Sequence, residues 1–402
     1  MKKIKNILIL AGGESSRFWP LSDKSVFNFC GKPLLACTIE TLSPFAENIF
    51  VIVNNHNKQR ASELTIQSGA KLIKQEGTGQ SGALMSAQGH LTGPTLIINN
   101  NDLYDVSLID AVLEAVEKKQ PEILLTSTKV EHYFPGGYLV CHDDKVDDIV
   151  EKPGADNMPS PYFRLVVDYV ANIEEFITIV KQTGSDSEIG YEEAIARYIK
   201  NGKDVRFVGY EGSWATFKYP WHLLAASQFF LSKIMHHRGE GVEIDKTAII
   251  EGDVYIEDGV KIFEYAKIVG PAYIGKNTVI GNYALVVNSM IGENCVIGGY
   301  SEVTRSYLGE HVLLHRNYIG DSVLENNILF GAGALCANFR FDEKTVRSLV
   351  KEEMIDTGLT KLGAIIGSNV KVGVNTSLMP GVKIETGTRV EPGIVVKKDV
   401  RS

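Results

Sequence analysis

The sequence lacks the features of several protein classes. Its five cysteines are scattered along the chain and odd in number: Cys30, Cys37, Cys141, Cys295 and Cys336. They form neither a zinc-type spacing nor a disulfide framework, so reduced thiols in a cytoplasm are expected. No apolar run approaches the length of a membrane span, and the short one at the N-terminus lacks a signal-peptide cleavage site. The net charge of −8 argues against a nucleic-acid partner, which would require a basic surface.

The composition is that of a globular protein with more than one core. Hydrophobic residues make up 44% of the 402 residues, and charged residues make up 22%. A chain of this length exceeds what one hydrophobic core usually supports, so two domains are expected.

Up to about residue 225, predicted strands and helices alternate. Strand-like runs occupy residues 4–10, 49–53, 95–99 and 123–127, and residues 108–119 have helical periodicity. This alternation predicts an α/β doubly wound domain with a mostly parallel sheet, in which ligands bind at the carboxyl ends of the strands. The apolar segment 221–237 that follows predicts a connecting helix.

From residue 242 onward, an aliphatic residue recurs every six positions. The two unbroken series are Ile244, Ile250, Ile256, Ile262, Ile268, Ile274 and Ile280, and Ile366, Val372, Leu378, Ile384, Val390 and Val396. A six-residue period is typical of a parallel β-helix, whose three-sided coils stack aliphatic side chains inward. Segment 338–361 interrupts the repeat and is expected to leave the β-helix as a loop, either on the binding face or as an idle excursion. The predicted domains are 1–225, a connecting helix at 226–240, and a β-helix at 241–402.

The stretch after the first predicted strand is rich in glycine and positive charge. Gly12 and Gly13 follow the strand, and Arg17 and Lys24 come next. Adjacent glycines let the backbone approach an anion, and two cations suit a triphosphate. A structural turn has the same Gly-Gly pair, so this pattern alone leaves phosphate binding and a plain turn open.

The wider spacing resembles the signature of sugar-1-phosphate nucleotidylyltransferases, carried here by Gly12, Gly13, Arg17, Pro20, Lys24 and Gly31-Lys32-Pro33. With the hexapeptide repeats, nearly the whole chain is similar to the bifunctional hexosamine-1-phosphate acetyltransferase and uridylyltransferase family, whose β-helix is left-handed. The resemblance implies that the first half joins a sugar-1-phosphate to a nucleoside triphosphate and releases pyrophosphate. It also implies that the β-helix acetylates an amino sugar with acetyl-CoA, commonly as a homotrimer.

The resemblance assigns roles to residues of the first half. Arg17 and Lys24 match catalytic cations, and the nucleotide- and sugar-binding matches are Gly12, Gly13, Gly79, Gly82, Glu151 and Lys152. Asp102 matches a magnesium ligand, consistent with the preference of Mg²⁺ for carboxylate and phosphate oxygens, although alone it would suit a turn or helix cap. The second metal-binding aspartate of the family is Thr216 here, which predicts a weakened Mg²⁺ site.

The resemblance also assigns roles in the β-helix. His315 matches the general base that removes a proton from the attacking amine. The matches to residues that bind the acetyl acceptor or acetyl-CoA are Arg305, Tyr318, Asn338, Lys361, Ala364, Ser377 and Lys398. The resemblance implies cationic residues that bind the substrate phosphate, but this chain has Val286, Val287 and Thr304 at those positions. The adjacent Arg305 is the candidate substitute. These replacements leave two alternatives for the acetyl acceptor, a different amino sugar and a nucleotide sugar.

Two alternatives stay open at this point. In the first, one half is catalytic and the other is a degenerate binding or regulatory module. In the second, the chain is a non-catalytic protein that uses the β-helix to assemble. The sequence specifies neither the nucleobase nor the sugar.

Overall fold

The chain forms two compact units. The computed structural model describes residues 3–13, 15–24, 27–66, 68–134, 136–183 and 190–401. The first unit comprises Met1–Glu14 and Leu34–Trp214, and the second comprises Ser15–Pro33 and Ala215–Ser402. The segment Ser15–Pro33 therefore belongs to the unit of the β-helix, whereas a boundary near residue 225 would assign it to the first half.

The elements that precede the β-helix agree with the predicted alternation. In chain order they are β1 (Ile4–Leu10), β2 (Asn28–Phe29), β3 (Lys32–Pro33), α1 (Leu34–Leu42), β4 (Ala46–Val53), α2 (Lys58–Ile66), β5 (Lys71–Lys74), α3 (Gly79–Ser86), β6 (Thr95–Asn99), β7 (Asp102–Tyr104), α4 (Ser107–Lys119), β8 (Ile123–Lys129), β9 (Gly137–His142), β10 (Lys145–Glu151), β11 (Tyr162–Val170), α5 (Ile173–Thr183), α6 (Gly190–Lys200), β12 (Val205–Tyr210), β13 (Trp214–Thr216) and α7 (His222–Leu231). Helix α7 ends at Leu231, earlier than the apolar spacing of 221–237 predicts, and His237 instead begins the β-helix.

The first unit is built on a nine-stranded sheet in the order β5-β4-β1-β6-β11-β8-β12-β10-β9. Strands β5, β4, β1 and β6 are parallel, and so are β8 and β12. Because β11 and β10 run antiparallel to their neighbours, seven of the nine strands point the same way, which confirms the mostly parallel sheet. At one edge, Leu10 pairs with Ile52 and Asn99, so the carboxyl ends of β1, β4 and β6 lie side by side.

The second unit contains a parallel β-helix with three faces. Face 1 consists of His237–Arg238, Val254–Ile256, Ala272–Ile274, Met290–Ile291, Tyr307–Leu308, Val323–Leu324, Ile365–Ile366 and Lys383–Ile384. Face 2 consists of Glu243–Ile244, Lys261–Ile262, Val279–Ile280, Val296–Ile297, Leu313–Leu314, Leu329–Phe330, Lys371–Val372 and Arg389–Val390. Face 3 consists of Ile249–Glu251, Lys267–Val269, Leu285–Val287, Glu302–Thr304, Tyr318–Gly320, Leu335–Cys336, Ser377–Leu378 and Val395–Val396. Both predicted aliphatic series point into the core of this β-helix.

The β-helix also continues between the two series. Its buried positions there are Val286, Ile291, Ile297, Val303, Leu308, Leu314, Ile319, Leu324, Phe330 and Cys336. Several intervals between consecutive buried positions are five residues long instead of six, including those that cross the corner between faces 3 and 1. Segment 338–361 leaves the coils as predicted and forms a hairpin of Arg347–Val350 and Glu353–Asp356. In the parts of the chain that the structure describes, no helix combines the length and the hydropathy needed to cross a bilayer.

Candidate active sites

The glycine loop of the first unit is held through its carbonyl groups. The Asn54 amide donates to the carbonyl oxygens of Gly12 (3.2 Å) and Gly13 (3.1 Å), and Asn57 donates to that of Ala11 (2.7 Å). These bonds fix the backbone that follows β1 at the carboxyl edge of the sheet, where ligands bind in doubly wound folds.

Gln75 links this loop to the segment of Gly79 and Gly82, two of the residues that the resemblance assigns to nucleotide or sugar binding. A methyl group on Gly12 would press against the Gln75 side chain, so glycine lets the two pack closely. The Gln75 amide donates to the carbonyl oxygens of Gly77 (3.2 Å) and Gly79 (3.1 Å), and Gly82 packs closely on the backbone of Gly77. The structure therefore brings Gly12 together with the loop of Gly79 and Gly82, through a glutamine that the sequence analysis missed.

The two acidic residues predicted for the first site, Asp102 and Glu151, lie at strand ends. Asp102 begins β7 and accepts a hydrogen bond from the Asn99 amide (3.2 Å). Glu151 ends β10, and its Oε1 lies 3.7 Å from Lys152 Nζ. Among the described residues, no group of three or more His, Cys, Asp or Glu side chains is placed to hold a metal ion.

A buried charge network lies on strand β11. Arg164 forms an ion pair with Asp168 and donates to Glu192 (2.9 Å), and the Tyr191 hydroxyl donates to Asp168 (2.8 Å). Burial raises the pKa of Asp168, and the Arg164 charge opposes this effect. Between the paired residues lies Leu165-Val166-Val167, which is also buried. Protein side chains therefore surround Leu165-Val166-Val167, which stands where the resemblance implies an Asn-Ala-Gly sugar-binding pattern.

The two signature cations lie in the second unit. Arg17 is exposed, and Lys24 Nζ donates to the carbonyl oxygen of Phe217 (2.6 Å) and lies 5.3 Å from the centroid of the Phe18 ring. The signature is thus divided, because Gly12 and Gly13 belong to the first unit.

The β-helix anchors the segment that carries these cations. The Trp19 indole donates to Glu385 (3.3 Å), and its ring lies 5.0 Å from Lys383 Nζ. Further along, Asn28 donates to Glu310 (2.8 Å) and accepts at its carbonyl oxygen from the Tyr307 hydroxyl (3.1 Å). Contacts at both ends of Ser15–Pro33 therefore hold it on the β-helix.

His222 lies beside Lys24 and makes the second unit sensitive to acid. Its Nδ1 accepts from the Lys218 amide (3.2 Å). Burial lowers the pKa of His222 to about 4, and the charges of Lys218 and Lys24 act in the same direction. The native state therefore disfavours a proton that the unfolded chain binds below pH 6.5, so stability is complete above that pH and is lost as the pH falls toward 4.

We expect wild type to lose roughly 2 kcal/mol of stability between pH 7 and pH 5 through this histidine. His222→Asn, which keeps an acceptor near the Nδ1 position, should lose correspondingly less in urea titrations at the two pH values. The exposed His236→Asn is the matched control and should behave as wild type. Equal acid losses in wild type and His222→Asn would contradict the prediction.

In the β-helix, predicted site residues meet at the corner between faces 3 and 1. Arg305 donates to both carboxylate oxygens of Asp321 (2.7 and 2.8 Å), and its Nη1 donates to Thr304 (3.0 Å). The Asn338 amide also donates to Asp321. Arg305, Asp321 and Asn338 therefore form a continuous set, named here the corner column. Its central carboxylate, Asp321, was missed by the sequence analysis.

Tyr318 lies beside the corner column. A methyl group on Gly320 would be 2.6 Å from the Tyr318 hydroxyl and 2.7 Å from Asn338 Nδ2, so glycine permits both side chains to converge. Burial and the charge of Glu302 raise the pKa of Tyr318. His315, three residues before the strand Tyr318–Gly320, is exposed, and its backbone amide donates to the side chain of the buried Asn317, which fixes the local backbone.

The remaining predicted residues are distributed over neighbouring coils. Ser377 is in the same column of face 3 as Tyr318, with Leu335 between them. Ala364 is buried, and its amide donates to Ser322 (3.1 Å) while its carbonyl oxygen accepts from Val323 (2.9 Å). Both backbone groups of Ala364 are therefore used within the coils. Lys361, at the base of the insertion, and Lys398 are exposed.

These features define an α/β unit of the nucleotidyltransferase type joined to a hexapeptide-repeat β-helix. The MobA-like NTP transferase domain family matches residues 7–241, and the GMPPB C-terminal domain matches residues 233–328. A bifunctional sugar-1-phosphate nucleotidylyltransferase/acetyltransferase from Sulfurisphaera tokodaii is 32% identical, over 98% of this chain and 97% of its own length. The bifunctional protein GlmU of Methanococcus aeolicus is 30% identical, over 98% of this chain and 95% of its own.

The chain therefore belongs to the family of bifunctional sugar-1-phosphate nucleotidylyltransferase/acetyltransferases. This membership confirms the resemblance and the fold class predicted from the sequence. It also makes the chain an enzyme of the transferase class.

Proposed function

We propose that this chain makes nucleotide sugars in the cytoplasm with two activities. The first joins a sugar-1-phosphate to a nucleoside triphosphate and releases pyrophosphate. The second transfers an acetyl group from acetyl-CoA to an amino sugar. The observation that carries the proposal is the similarity of the chain to a bifunctional relative over 98% of its length.

Nucleotidyl transfer requires charge neutralisation more than covalent chemistry. An oxygen of the sugar-1-phosphate attacks the α-phosphorus of the triphosphate, and the bond to the β-phosphate breaks. Arg17 and Lys24 are proposed to stabilise the charge on the triphosphate and the leaving pyrophosphate. Gly12, Gly13, Gly79 and Gly82 would hold the nucleotide, supported by the contacts of Gln75 with the two loops. Glu151 and Lys152 would contact the sugar phosphate.

Asp102 is proposed to bind Mg²⁺ together with oxygens of the triphosphate. Its carboxylate, which accepts a hydrogen bond from the Asn99 amide, would be a protein ligand of a cation that takes one or two carboxylates and completes its shell with phosphate and water. The ion would supply positive charge to the phosphates. Thr216 contributes a hydroxyl where the resemblance implies a second carboxylate, so the affinity for Mg²⁺ would depend strongly on bound triphosphate.

Acetyl transfer is proposed to use His315 as the base. The amine nitrogen of the acceptor attacks the thioester carbonyl carbon, His315 takes the amine proton, and the carbon–sulfur bond breaks to release CoA. Tyr318, Asn338, Arg305 and Lys361 would contact the acceptor. Ser377, Lys398 and the coil at Ala364 would contact acetyl-CoA, a placement supported by the shared column of Ser377 and Tyr318.

A homotrimer is proposed for the assembled enzyme. Face 2 carries an outward apolar stripe in which Val296, Leu313 and Leu329 are 37–42% exposed. Beside it, the exposed rings of Tyr265, Tyr283 and Tyr300 stack at 5.0 Å intervals. Contact with further copies would cover both features, and sedimentation equilibrium should give three chain masses.

One observation favours a second candidate, in which only the β-helix half is catalytic. The segment that departs from the family's sugar-binding pattern is buried within the network of Arg164 and Asp168. In that case the first unit would bind nucleotide sugars without forming them.

The proposal is tested by assaying pyrophosphate and CoA release over a matrix of triphosphates, sugar-1-phosphates and amino sugars. Arg17→Ala should lower pyrophosphate release by about 10²- to 10³-fold, because one cation on the transferring phosphates is lost, and should leave CoA release unchanged. Arg60→Ala, which removes an exposed arginine of helix α2, is the matched control and should match wild type. No pyrophosphate from any substrate pair would exclude the first activity, and CoA release alone would support the second candidate.

A further inference from the structure

Four residues of the segment Ser15–Pro33 contact four consecutive coils of the β-helix. In order along the segment, the contacts are Trp19 with Glu385, Pro20 with Gly367, Ser22 with Glu325 and Asn28 with Tyr307. The four partners lie in, or directly after, neighbouring strands of face 1. Because neighbouring strands are about 4.8 Å apart, the stack of coils sets the place of each contact along the β-helix. The segment that carries Arg17 and Lys24 is therefore aligned on the coils.

The corner position directly after face 1 leaves little room for a side chain. Where this position is glycine, as at Gly292 and Gly309, a Cβ atom would lie 2.5 and 2.7 Å from a backbone oxygen of the next coil. Three other coils have glutamate at this position: Glu257, Glu325 and Glu385. Glu325 and Glu385 accept hydrogen bonds from the segment, and Glu257 lies beside its Gly31. These glutamates coincide with the segment, and packing of the coils alone does not require them.

Glu325 is the buried member of this group, with 3% of its surface exposed. Its Oε1 accepts from the backbone amide of Ser22 at 3.0 Å, and its Oε2 accepts from the backbone amide of Ser368 at 3.0 Å. Hydrogen bonds to a carboxylate are roughly twice as strong as those between neutral groups, and an amide that loses such an acceptor is costly to leave unpaired. The Glu325 carboxylate therefore joins the segment firmly to the coil of Ser368.

The bond from Ser22 to Glu325 lies next to Lys24 along the chain. Ser22 precedes Lys24 by two residues and follows Arg17 by five. The head group of Lys24 is held elsewhere, because its Nζ donates to the carbonyl oxygen of Phe217 at 2.6 Å. Glu325 thus fixes the backbone from which Lys24 extends, and Phe217 holds the charged end of its side chain.

We propose that Glu325 is a positioning residue for nucleotidyl transfer, supplied by the β-helix to the segment that carries Arg17 and Lys24. The inference rests on the proposed nucleotidyl transfer and adds to it a requirement for one coil of the other half. Cations stabilise the leaving pyrophosphate only from the correct place, and a displacement of about 1 Å costs up to about 10²-fold in rate. Without Glu325, the backbone at Ser22 loses the contact that sets this place.

Glu325→Ala in the full-length chain tests the inference. With the substrate pair that gives the highest rate in the matrix of triphosphates and sugar-1-phosphates, pyrophosphate release should fall about 10- to 100-fold. The fall should be chiefly in kcat, because the charge on the leaving pyrophosphate develops in the transition state. CoA release by the same sample should stay at the wild-type level, which shows that the β-helix is folded.

Asp245→Ala is the matched control. Asp245 is a half-buried carboxylate of the first coil, and it accepts from the backbone amide of Thr247 at 2.8 Å. Its removal should leave both activities at the wild-type level. Glu325→Gln keeps the volume of the side chain and one acceptor oxygen, so its pyrophosphate release should lie between wild type and Glu325→Ala. This variant also serves as the test if Glu325→Ala does not fold.

Hydrogen exchange separates this inference from the proposed activity. The amide of Ser22, measured in a peptide covering residues 18–24, should exchange at least about 10-fold faster in Glu325→Ala and at the wild-type rate in Asp245→Ala. Wild-type pyrophosphate release in Glu325→Ala, or an equal fall of both activities, would overturn the inference. An absence of pyrophosphate release with every substrate pair would overturn the first proposed activity instead, and the exchange of this amide would then uphold or overturn the fixing of the segment by Glu325.

Discussion

Replacing His315 with glutamine is expected to lower the rate of acetyl transfer by about 10²- to 10⁴-fold while pyrophosphate release stays at the wild-type level. A positioned general base contributes an effect of this size, because without it the amine must lose its proton to water in the transition state. The amide of His315 is fixed by the buried Asn317, so the substitution should leave the backbone in place. Single-turnover CoA release measures the chemical step directly.

His311→Gln is the matched control for this experiment. His311 is exposed and lies four residues earlier in the same coil. It should retain wild-type acetyl transfer. If His315→Gln and His311→Gln have similar rates, His315 does not act as the base, and the activity would require another proton acceptor.

The largest effect on stability is expected from Asp168→Ala in the first unit. Arg164 and Asp168 side chains are 3% and 0% exposed, so removal of the carboxylate leaves a guanidinium buried without its main counter-charge. Breaking a buried pair on one side costs about 3–5 kcal/mol, and the Tyr191 hydroxyl would also lose its acceptor. Hydrogen exchange of the strand Tyr162–Val170 measures this loss within the first unit.

A double substitution distinguishes the loss of the pair from the loss of packing. Arg164→Met combined with Asp168→Leu removes both charges and keeps apolar volume, so it should recover roughly half or more of the stability lost in Asp168→Ala. The part not recovered reflects Tyr191 and Glu192, which lose their partners. If the double variant is less stable than Asp168→Ala, the uncompensated charge is not the cause of the loss.

Much of the fold follows from local pattern in the sequence. The strand-like runs and the six-residue period each depend on burial of regularly spaced side chains, and both are confirmed. The predicted β-helix, 241–402, includes the middle coils, but the unbroken six-residue series does not extend through them, because the intervals from Val286 to Ile291 and from Ile319 to Leu324 are five residues long. Continuous strand pairing, such as that of Leu285–Val287 with Glu302–Thr304, carries the β-helix through them.

The candidate sites depend on contacts that local pattern does not specify. Asp321 is one acidic residue among many in the sequence, and its importance appears only when the coils stack it against Arg305 and Asn338. The same holds for Gln75, whose contacts with Gly12 and Gly79 depend on neighbouring strand ends. The sequence also does not predict that Arg17 and Lys24 belong to the same unit as the β-helix. That placement depends on hydrogen bonds from Trp19 and Asn28 to residues more than 250 positions later in the chain.

The anchoring of Ser15–Pro33 on the β-helix constrains how this gene can change. A recombination event within residues 34–214 would join a native signature segment to a foreign β-helix. Trp19 would then meet another residue in place of Glu385, and Asn28 another in place of Glu310. The two halves are therefore expected to be inherited as a matched set, with substitutions in the segment accompanied by compensating substitutions on face 1 and its corners.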